Sequence, residues 1–548
     1  VLWISAIATH AQTLPNGVAS GDVTAGGIVL WTRSLALGPV EFEVARDRGF
    51  DRIVRRQFAE VTDPDLPVKV RVGWLAPATD YFYRATDAAG ASAAGRFRTL
   101  PRLGYSRGVR FGVSGDVAGY QKPYTSIANV AERDLDFFVN LGDTAYADSC
   151  TPMLPRRAVT LDQFRLKHAE IYTATDDGSN PMAELRATTA LLATIDDHEV
   201  INDFAGGAPP ASDDRFDDTG EFINETDLFR NAIQAFREYH PMLERDTGWT
   251  GDPRTSHKPD LYRFRLVGSD VALIMLDTRT FRDEPLLALQ ANGPTPEVSD
   301  LLALLPAAFE PGRTMLGQAQ LARFKLDLLR ADLLGVTWKF VLVPEPIQNL
   351  GLFGAWDRFE GYAAERAEIL AFIHENGIRN VVFVAADIHG TVVNNLNYRE
   401  YYRGPRIETS AFEISTGAIA YSNTFGGTTA KIFEALNLGP LVGLYDALGP
   451  AGKDWLVHVV LNLQLVVQGH DTLGLHRSPV EAELLEGTYW PMHTRGWTEF
   501  ELDRDGVLLV TTYGIPLDEE NPPAGPCDSG HLASGQLEVV SRFRVRPQ

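Results

Sequence analysis

Six short apolar runs, each stopped within a few residues by an acid or a histidine, constrain this chain more than any other feature. Residues 109–114 lead to Gly115-Asp116, 137–141 to Gly142-Asp143, and 190–195 to Asp196-Asp197-His198-Glu199. Residues 271–276 lead to Asp277, 338–343 to Pro344-Glu345, and 380–386 to Asp387-Ile388-His389. Runs this short and apolar read as buried strands. Helical spacing between some of them, as at 124–132, points to an α/β sheet. Ligands of open α/β sheets bind beyond the carboxyl ends of the strands. One acid after a strand means little, but six predict a shared rim of carboxylates and imidazoles.

The stretch 135–148 is the most specific of these. Gly142 allows a sharp turn at the strand's end, Asp143 follows, and Tyr146 stands three residues on. That spacing can set two oxygen ligands on one hard cation; the alternative is a turn-capping acid and a surface phenol. Packed carboxylates repel unless metal or protons neutralise them. Asp116, Asp143, Asp197 and Asp387, with Tyr146, His198 and His389, would make such a cluster. Two metal ions sharing one bridging carboxylate would resolve the repulsion. Phosphoester hydrolysis is the chemistry that uses such a pair most directly.

The rest of the chain sets the frame. Its 548 residues leave room for two or more domains. A net charge of −22 argues against a nucleic-acid binder. Residues 12–100 read as all-β, with half-buried alternation at 40–44 and 68–72. A turn at 75–80 leads into Tyr81-Phe82-Tyr83, resembling a fibronectin type III-like sandwich in which a tyrosine after the turn anchors the strand. The second domain is expected over 101–548, with an apolar insertion around 426–475. Within it, 455–467 reads either as a buried helix or as an apolar wall taking a lipid or aryl group. The Gly-, Pro- and Asp-rich stretch 204–227 reads as a surface insertion. Cys150 and Cys527 form no C-x-x-C pair, so a thiolate zinc site is not expected. They are either one disulfide in an oxidising compartment or two separate thiols. No apolar run is long enough for a transmembrane helix. Residues 1–11, apolar and ending in small side chains, suggest a secretory signal's tail or a first helix, and with it export to a periplasmic or secreted location. No oligomeric state follows from the sequence.

Gly142-Asp143-Thr144-Ala145-Tyr146 resembles the GDxxY motif of calcineurin-like metallophosphoesterases, especially purple acid phosphatases. Further stretches resemble the PhoD-like alkaline phosphatase/phosphodiesterase family within that superfamily: Gly17-Val18-Ala19-Ser20-Gly21-Asp22, Asp196-Asp197-His198-Glu199-Val200, Leu276-Asp277-Thr278-Arg279, Met315-Leu316-Gly317-Gln318, Asp357-Arg358-Phe359-Glu360-Gly361-Tyr362 and Ala386-Asp387-Ile388-His389. The resemblance implies an α/β fold: a four-layer αββα metallophosphoesterase sandwich preceded by the all-β fibronectin type III-like domain. By the same resemblance Asp143 bridges two metals, Asp116, Tyr146 and His389 complete the first site, and Asp197 and Asp387 serve the second. The chain departs from its relatives at Asp116, where the PhoD-like pattern commonly has cysteine. The first site is then purple acid phosphatase-like and suits Fe³⁺. The all-oxygen second site suits Ca²⁺, with Mg²⁺ or Mn²⁺ as alternatives.

The implied reaction is phosphodiester or phosphomonoester hydrolysis, with a metal-bound hydroxide as nucleophile. His198, directly after a ligand, is the candidate to contact phosphate and protonate the leaving oxygen, against a purely orienting role. Glu345 stands where purple acid phosphatases place a ligand histidine, and either substitutes for it or starts a helix. Asn202 and Asp203 are candidates to hold the ligands in place. Arg279 and Arg282 suit phosphate by charge or make ion pairs beneath the sheet, and Asp357 and Tyr362 either cover the site or, the preferred reading, are structural. Two other readings are a phospholipase D-like activity on lipid diesters and, in a different class, a cell-surface binding protein with a structural metal.

Overall fold

All six runs form strands: Val109–Val117, Phe137–Asn140, Leu191–Ala193, Val271–Met275, Trp338–Leu342 and Val381–Ala385. The structure, a computed structural model, describes all residues except 1–12, 176–177, 218, 288–297, 352–353, 422, 436–437, 477–478 and 518–534. The first three strands lie parallel and adjacent in an eleven-stranded sheet, and the last three do so in a six-stranded one. Ser114 is registered with Asn140, and Met275 with Leu342. Within each sheet the strand ends are therefore level, and the acids that follow them form a rim.

Parallel strands buried on both faces need cover on both. Between the sheets, Phe111 stacks on Phe137 and Phe500 at 4.9 and 5.0 Å. Phe340 of the smaller sheet meets Phe111 edge-on at 5.0 Å and Phe500 at 5.2 Å. Such edge-to-face pairs add to what area burial alone contributes. Outside the larger sheet, Phe138 and Leu191 pack with Ile171 of helix Leu161–Tyr172 and Leu185 of helix Pro181–Thr188. Ala193 and Ile195 pack with Phe229 and Phe236 of helix Asp227–Tyr239. Outside the smaller sheet, Ile274, Val341 and Phe383 meet helices Gln318–Leu333 and Ala363–Glu375 through Leu321, Phe324, Ile369 and Ile373. The layers are thus α, β, β and α.

The segment before this sandwich is all-β. Strands Gly38–Ala45, Ile53–Val61, Asp80–Thr86 and Ser92–Arg98 form a separate four-stranded antiparallel sheet. Val18–Gly21, Ile28–Thr32 and Val68–Val72 instead continue the eleven-stranded sheet, joined to it where Gly21 meets Leu191. A Cβ on Gly21 would stand 2.4 Å from the Leu191 carbonyl oxygen, so only glycine allows this approach. The Tyr81 hydroxyl accepts from the Ala76 backbone at 2.9 Å, anchoring the strand after its turn.

Three stretches differ from their sequence reading or extend it. Residues 124–132 hold short 3₁₀ turns rather than one helix; Tyr124 enters them with φ 58°, a left-handed conformation that no helix continues. Residues 204–208 are buried rather than a surface insertion. Gly206 and Gly207 there lie against the backbone of Thr280 and Phe281, where a Cβ would meet carbonyl oxygens at 2.4 and 2.5 Å. The apolar stretch forms most of helix Pro450–Val467 and divides by face. Val457, Leu461 and Leu465 pack on Ile388, Val392, Phe425 and Met492, while Trp455, Val459, Leu463, Val466 and Val467 are exposed. Among the described residues no helix is long and apolar enough to cross a membrane. Residues 1–11 and Cys527, which carry the export and disulfide readings, lie outside the described residues.

Candidate metal centre

The rim residues sit in unusual backbone. Asp116, Asp143, Asp203, Asp387 and His389 all have positive φ, from 51° to 64°. Non-glycine residues take this left-handed region at a cost, and such strain clusters where surrounding structure enforces it at functional sites. Gly142, at φ 107°, makes it possible for Asp143: a Cβ there would lie 2.4 Å from the Asp196 amide nitrogen. The Asp143 and Asp196 loops therefore touch backbone to backbone. Glu199 ties them together, accepting from Asp143 N at 3.0 Å, Thr144 N at 2.5 Å and Asp196 N at 2.8 Å.

Four groups of donor atoms result, each with its atoms within 4.8 Å of one another. Asp116, Asp143 and His389 form the first, and the Tyr146 hydroxyl lies 3.1 Å from His389 Nε2. Asp143, Asp197 and His198 form the second, so Asp143 is common to both. Asp387 is grouped with Asp196 and Glu345, neither of which the sequence reading makes a principal ligand. Asp197 also joins Asp203 and Asp357, and its Oδ2 accepts from Asp203 N at 2.6 Å. Asp116, Asp143 and Asp197 are buried, whereas His198 and His389 keep 13% and 16% of their side chains exposed, so the cluster opens to solvent on their side.

The electrostatics is that of acids short of cations. Burial, then Asp197, Asp196 and Glu199 nearby, push the Asp143 carboxyl well up, despite His198. Burial and the acids Asp196 and Asp357 do the same to Asp387. Burial, Asp143 and Asp116 push the Tyr146 phenol up. Burial with Asp357 and Asp197 raises Asp203 to about 7, and burial raises Asp196 to about 8 although Arg279 opposes it. Asp116 Oδ2, Asp196 Oδ2 and Glu345 Oε2 are buried without a hydrogen-bond partner. Buried orphan oxygens cost free energy, and a hard cation is the ligand that satisfies several of them together. The donor set therefore fits metal ions.

Arg279 and Arg282, fully buried, are committed to ion pairs. Arg279 reaches Asp196 at 2.6 Å, Asp357 at 2.8 Å, Asp197 at 3.4 Å and Glu345 more closely still. Arg282 pairs with Asp357 at 3.0 Å and Glu345 at 3.2 Å. Glu345 is thus an inner acid of the rim and starts no helix. The Tyr362 hydroxyl donates to the Asp283 carbonyl at 2.7 Å, outside the cluster.

Two side chains matter here that the sequence reading assigns no role. Asp148 lies 2.8 and 2.9 Å from His198 Nδ1 and also accepts from Asn202 N at 2.9 Å. This leaves Nε2 facing the cluster, 4.0 Å from Asp197. Burial alone would lower the His198 imidazole, but Asp148, Asp197 and Asp143 together hold it well above its ordinary value. The Tyr421 ring lies tilted against His389 at 3.9 Å and stacks on Tyr146 at 4.8 Å. Asp148 stands two residues after Tyr146 in the same strand-end loop, which was the available signal; nothing in the sequence marks Tyr421.

Known proteins agree with this architecture. The profile of the PhoD-like phosphatase family matches residues 111–438, and that of the PhoD-like phosphatase N-terminal domain matches 4–101. Alkaline phosphatase D of Bacillus subtilis (strain 168) is 28% identical over 420 residues, 70% of this chain and 65% of that protein. The chain thus aligns with just under two thirds of this relative's length. A solved structure of PhoD superposes with a TM-score of 0.68 at 20% identity, covering 98% of this chain and 92% of the other. A purple acid phosphatase from yellow lupin (Lupinus luteus) seeds gives a TM-score of 0.49 at 10% identity, covering 96% and 73%.

Proposed function

The chain belongs to the PhoD-like phosphatase family, and on that footing we propose that it is a metal-dependent phosphoester hydrolase acting on phosphodiesters or phosphomonoesters. The observation that carries this is the rim itself: orphaned buried carboxylate oxygens beside an imidazole that Asp148, Asp197 and Asp143 hold above its ordinary value against burial. In this reading Asp116, Asp143, Tyr146 and His389 hold one ion, and Asp143, Asp197 and Asp387 hold a second. Fe³⁺ suits the phenol-containing set, and Ca²⁺, or Mg²⁺ or Mn²⁺, suits the carboxylate set. Two such ions would supply Lewis acidity to the phosphate oxygens and an activated water as nucleophile.

The chain's own residues do the rest. His198 donates a proton from Nε2 to the leaving oxygen. Asp148, on Nδ1, fixes the ring and keeps it charged. Arg279 and Arg282 do not reach substrate; they lock Asp196, Glu345 and Asp357 in place.

The test combines a visible spectrum, metal analysis and turnover of mono- and diesters on one preparation. A broad visible band with iron and a second metal, and a large loss of turnover in His198→Ala, are expected. A colourless protein without iron would remove the Tyr146–Fe³⁺ assignment. Full activity in His198→Ala would remove the general acid.

One observation favours a narrower substrate class, lipid diesters. Helix Pro450–Val467 packs through Val457 and Leu461 on Ile388, between two rim residues, and turns Trp455, Val459 and Leu463 outward. If this face seats an acyl chain, Trp455→Ala with Leu463→Gln lowers turnover of a phospholipid at least about tenfold, on the scale of losing one buried side-chain contact, and leaves a soluble aryl diester unchanged. Equal rates on the phospholipid would exclude it.

A further inference from the structure

Behind the apolar helix, where the insertion meets the sandwich, lies a separate cavity of about 50 Å³, walled in part by apolar side chains such as Leu305 and Phe309 and in part by polar ones. Its wall includes Arg366 on helix Ala363–Glu375, Arg399 just after strand Val392–Tyr398, and Gln468 and His470 just after helix Pro450–Val467. Arg366 is only 6% exposed. Its Nε donates to the Ile347 carbonyl at 2.6 Å, and its two terminal nitrogens have no hydrogen-bond or ion-pair partner among the described residues. Arg399 Nε and Gln468 Nε2 are likewise buried and unpartnered. The Asn349 amide nitrogen lies 3.1 Å from His470 Nδ1. An amide N–H can only donate there, so the ring proton sits on Nε2 and adds another donor. Burial, then Arg366, Arg399 and Arg406, push this imidazole down to about 3, so the ring is neutral among guanidiniums.

The acids nearby are already engaged. Glu360 accepts from Leu350 N at 3.0 Å, Gly351 N at 3.1 Å and Arg358 at 2.9 Å. Glu413 accepts from Ile347 N at 2.7 Å and Gln348 N at 3.0 Å. Several unpartnered donors therefore face the cavity, and one group is a buried guanidinium whose neighbouring acids, Glu360 and Glu413, make no ion pair with it among the described residues. A water needs roughly 10–15 Å³ of such space, so the cavity has room for one small anion or a few waters. Guanidinium forks match oxyanions with paired hydrogen bonds.

We propose that this cavity binds one small tetrahedral oxyanion of the phosphate–sulfate class, held by Arg366 with Arg399, Gln468 and His470. Arg366 belongs to the sandwich, and Gln468 and His470 to the end of the helical insertion. The bound anion thus ties the two together, at a place distinct from the metal rim and independent of the function proposed for it.

The test uses the metal-loaded full chain, crystallised without phosphate or sulfate and soaked in millimolar selenate. An anomalous peak within hydrogen-bond reach of Arg366 and Gln468 is expected. Selenate only at the metal rim, or water alone in the cavity, overturns the proposal. In solution, sulfate should raise the melting temperature of the wild type and of Asp143→Asn equally, and the apparent dissociation constant should rise tenfold or more in Arg366→Met. Gln468→Met reads the same loss should Arg366→Met not fold. Stabilisation that survives in Gln468→Met, or vanishes in Asp143→Asn, counts against the site. Acetate stabilising as well as sulfate would make the ligand a carboxylate and overturn the assigned class.

Discussion

Two halves of one rim handle the same excess of negative charge differently. On one side Asp196, Asp203, Glu345 and Asp357 surround Arg279 and Arg282. On the other, Asp116 and Asp143 with Tyr146 and His389 make no ion pair with a guanidinium among the described residues. The consequence shows in single groups. Burial would raise Asp357, yet Arg279 and Arg282 hold it well below the ordinary carboxylate range. Asp143, lacking such a partner, is pushed up. Two guanidiniums do not cover four acids, so on the first side burial still keeps Asp203 near 7, Asp196 near 8 and Glu345 well above the ordinary carboxylate range. One half is neutralised in part by the chain's own guanidiniums, and the other depends wholly on a cation from outside.

The sharpest way to break this contrast is Asp143→Asn, which removes the carboxylate shared by two donor groups. Turnover should fall by on the order of 10³-fold, the scale of losing a preorganised charge in an active site, and bound metal should fall with it. Unchanged metal content would refute the bridging role. Next in size is Arg279→Met on the partly self-neutralised side. Leaving Asp196 and Asp357 without their buried partner should cost about 3–5 kcal/mol of stability, measured by urea unfolding; a change under about 1 kcal/mol would show that these acids do not depend on it.

Metal removal separates the halves by pH. Carboxyls raised in the folded state, such as Asp203 at about 7 and Asp196 at about 8, hold protons that the unfolded chain gives up near pH 4. Metal-free protein should therefore lose stability as pH rises from about 4 towards 8. Metal displaces those protons, so loading at neutral pH should release protons, measurable by calorimetry in buffers of different ionisation enthalpy, and flatten the pH slope. Uptake of metal without proton release would contradict the raised values.

The smallest effect expected is at Asp148. Asp148→Asn should reduce kcat about 10- to 100-fold, the usual scale for a residue that orients a functional one, with KM little changed. Because Asp148 raises the His198 imidazole, its loss should also move the alkaline limb of the kcat profile to lower pH. A limb that stays in place would reduce Asp148 to a structural contact.

Much of the frame was legible in the sequence because it depends on neighbours along the chain. Apolar runs bounded by Gly-Asp or Asp-Asp form strands whatever surrounds them, and the acids after them inherit the strand ends. That is why Asp116, Asp143, Asp197, Asp387, His198 and His389 could be nominated together. Other parts were not legible. The 204–208 segment has loop composition but is buried, since Gly206 and Gly207 exist to fit backbone against Thr280 and Phe281. The role of Glu199 depends on two loops it joins across more than fifty residues.

By itself, then, the amino-acid order determined which segments are strands, the acids at their ends, the all-β start and the apolar helix, because each rests on local pattern and composition. Tertiary structure alone decided how the acids divide between guanidiniums and open donor groups, that Tyr421 covers His389, that the N-terminal strands share the larger sheet, and that Arg366 meets Gln468 around a cavity. Those outcomes rest on contacts between distant segments, where burial and charge act through space and leave no periodicity to read.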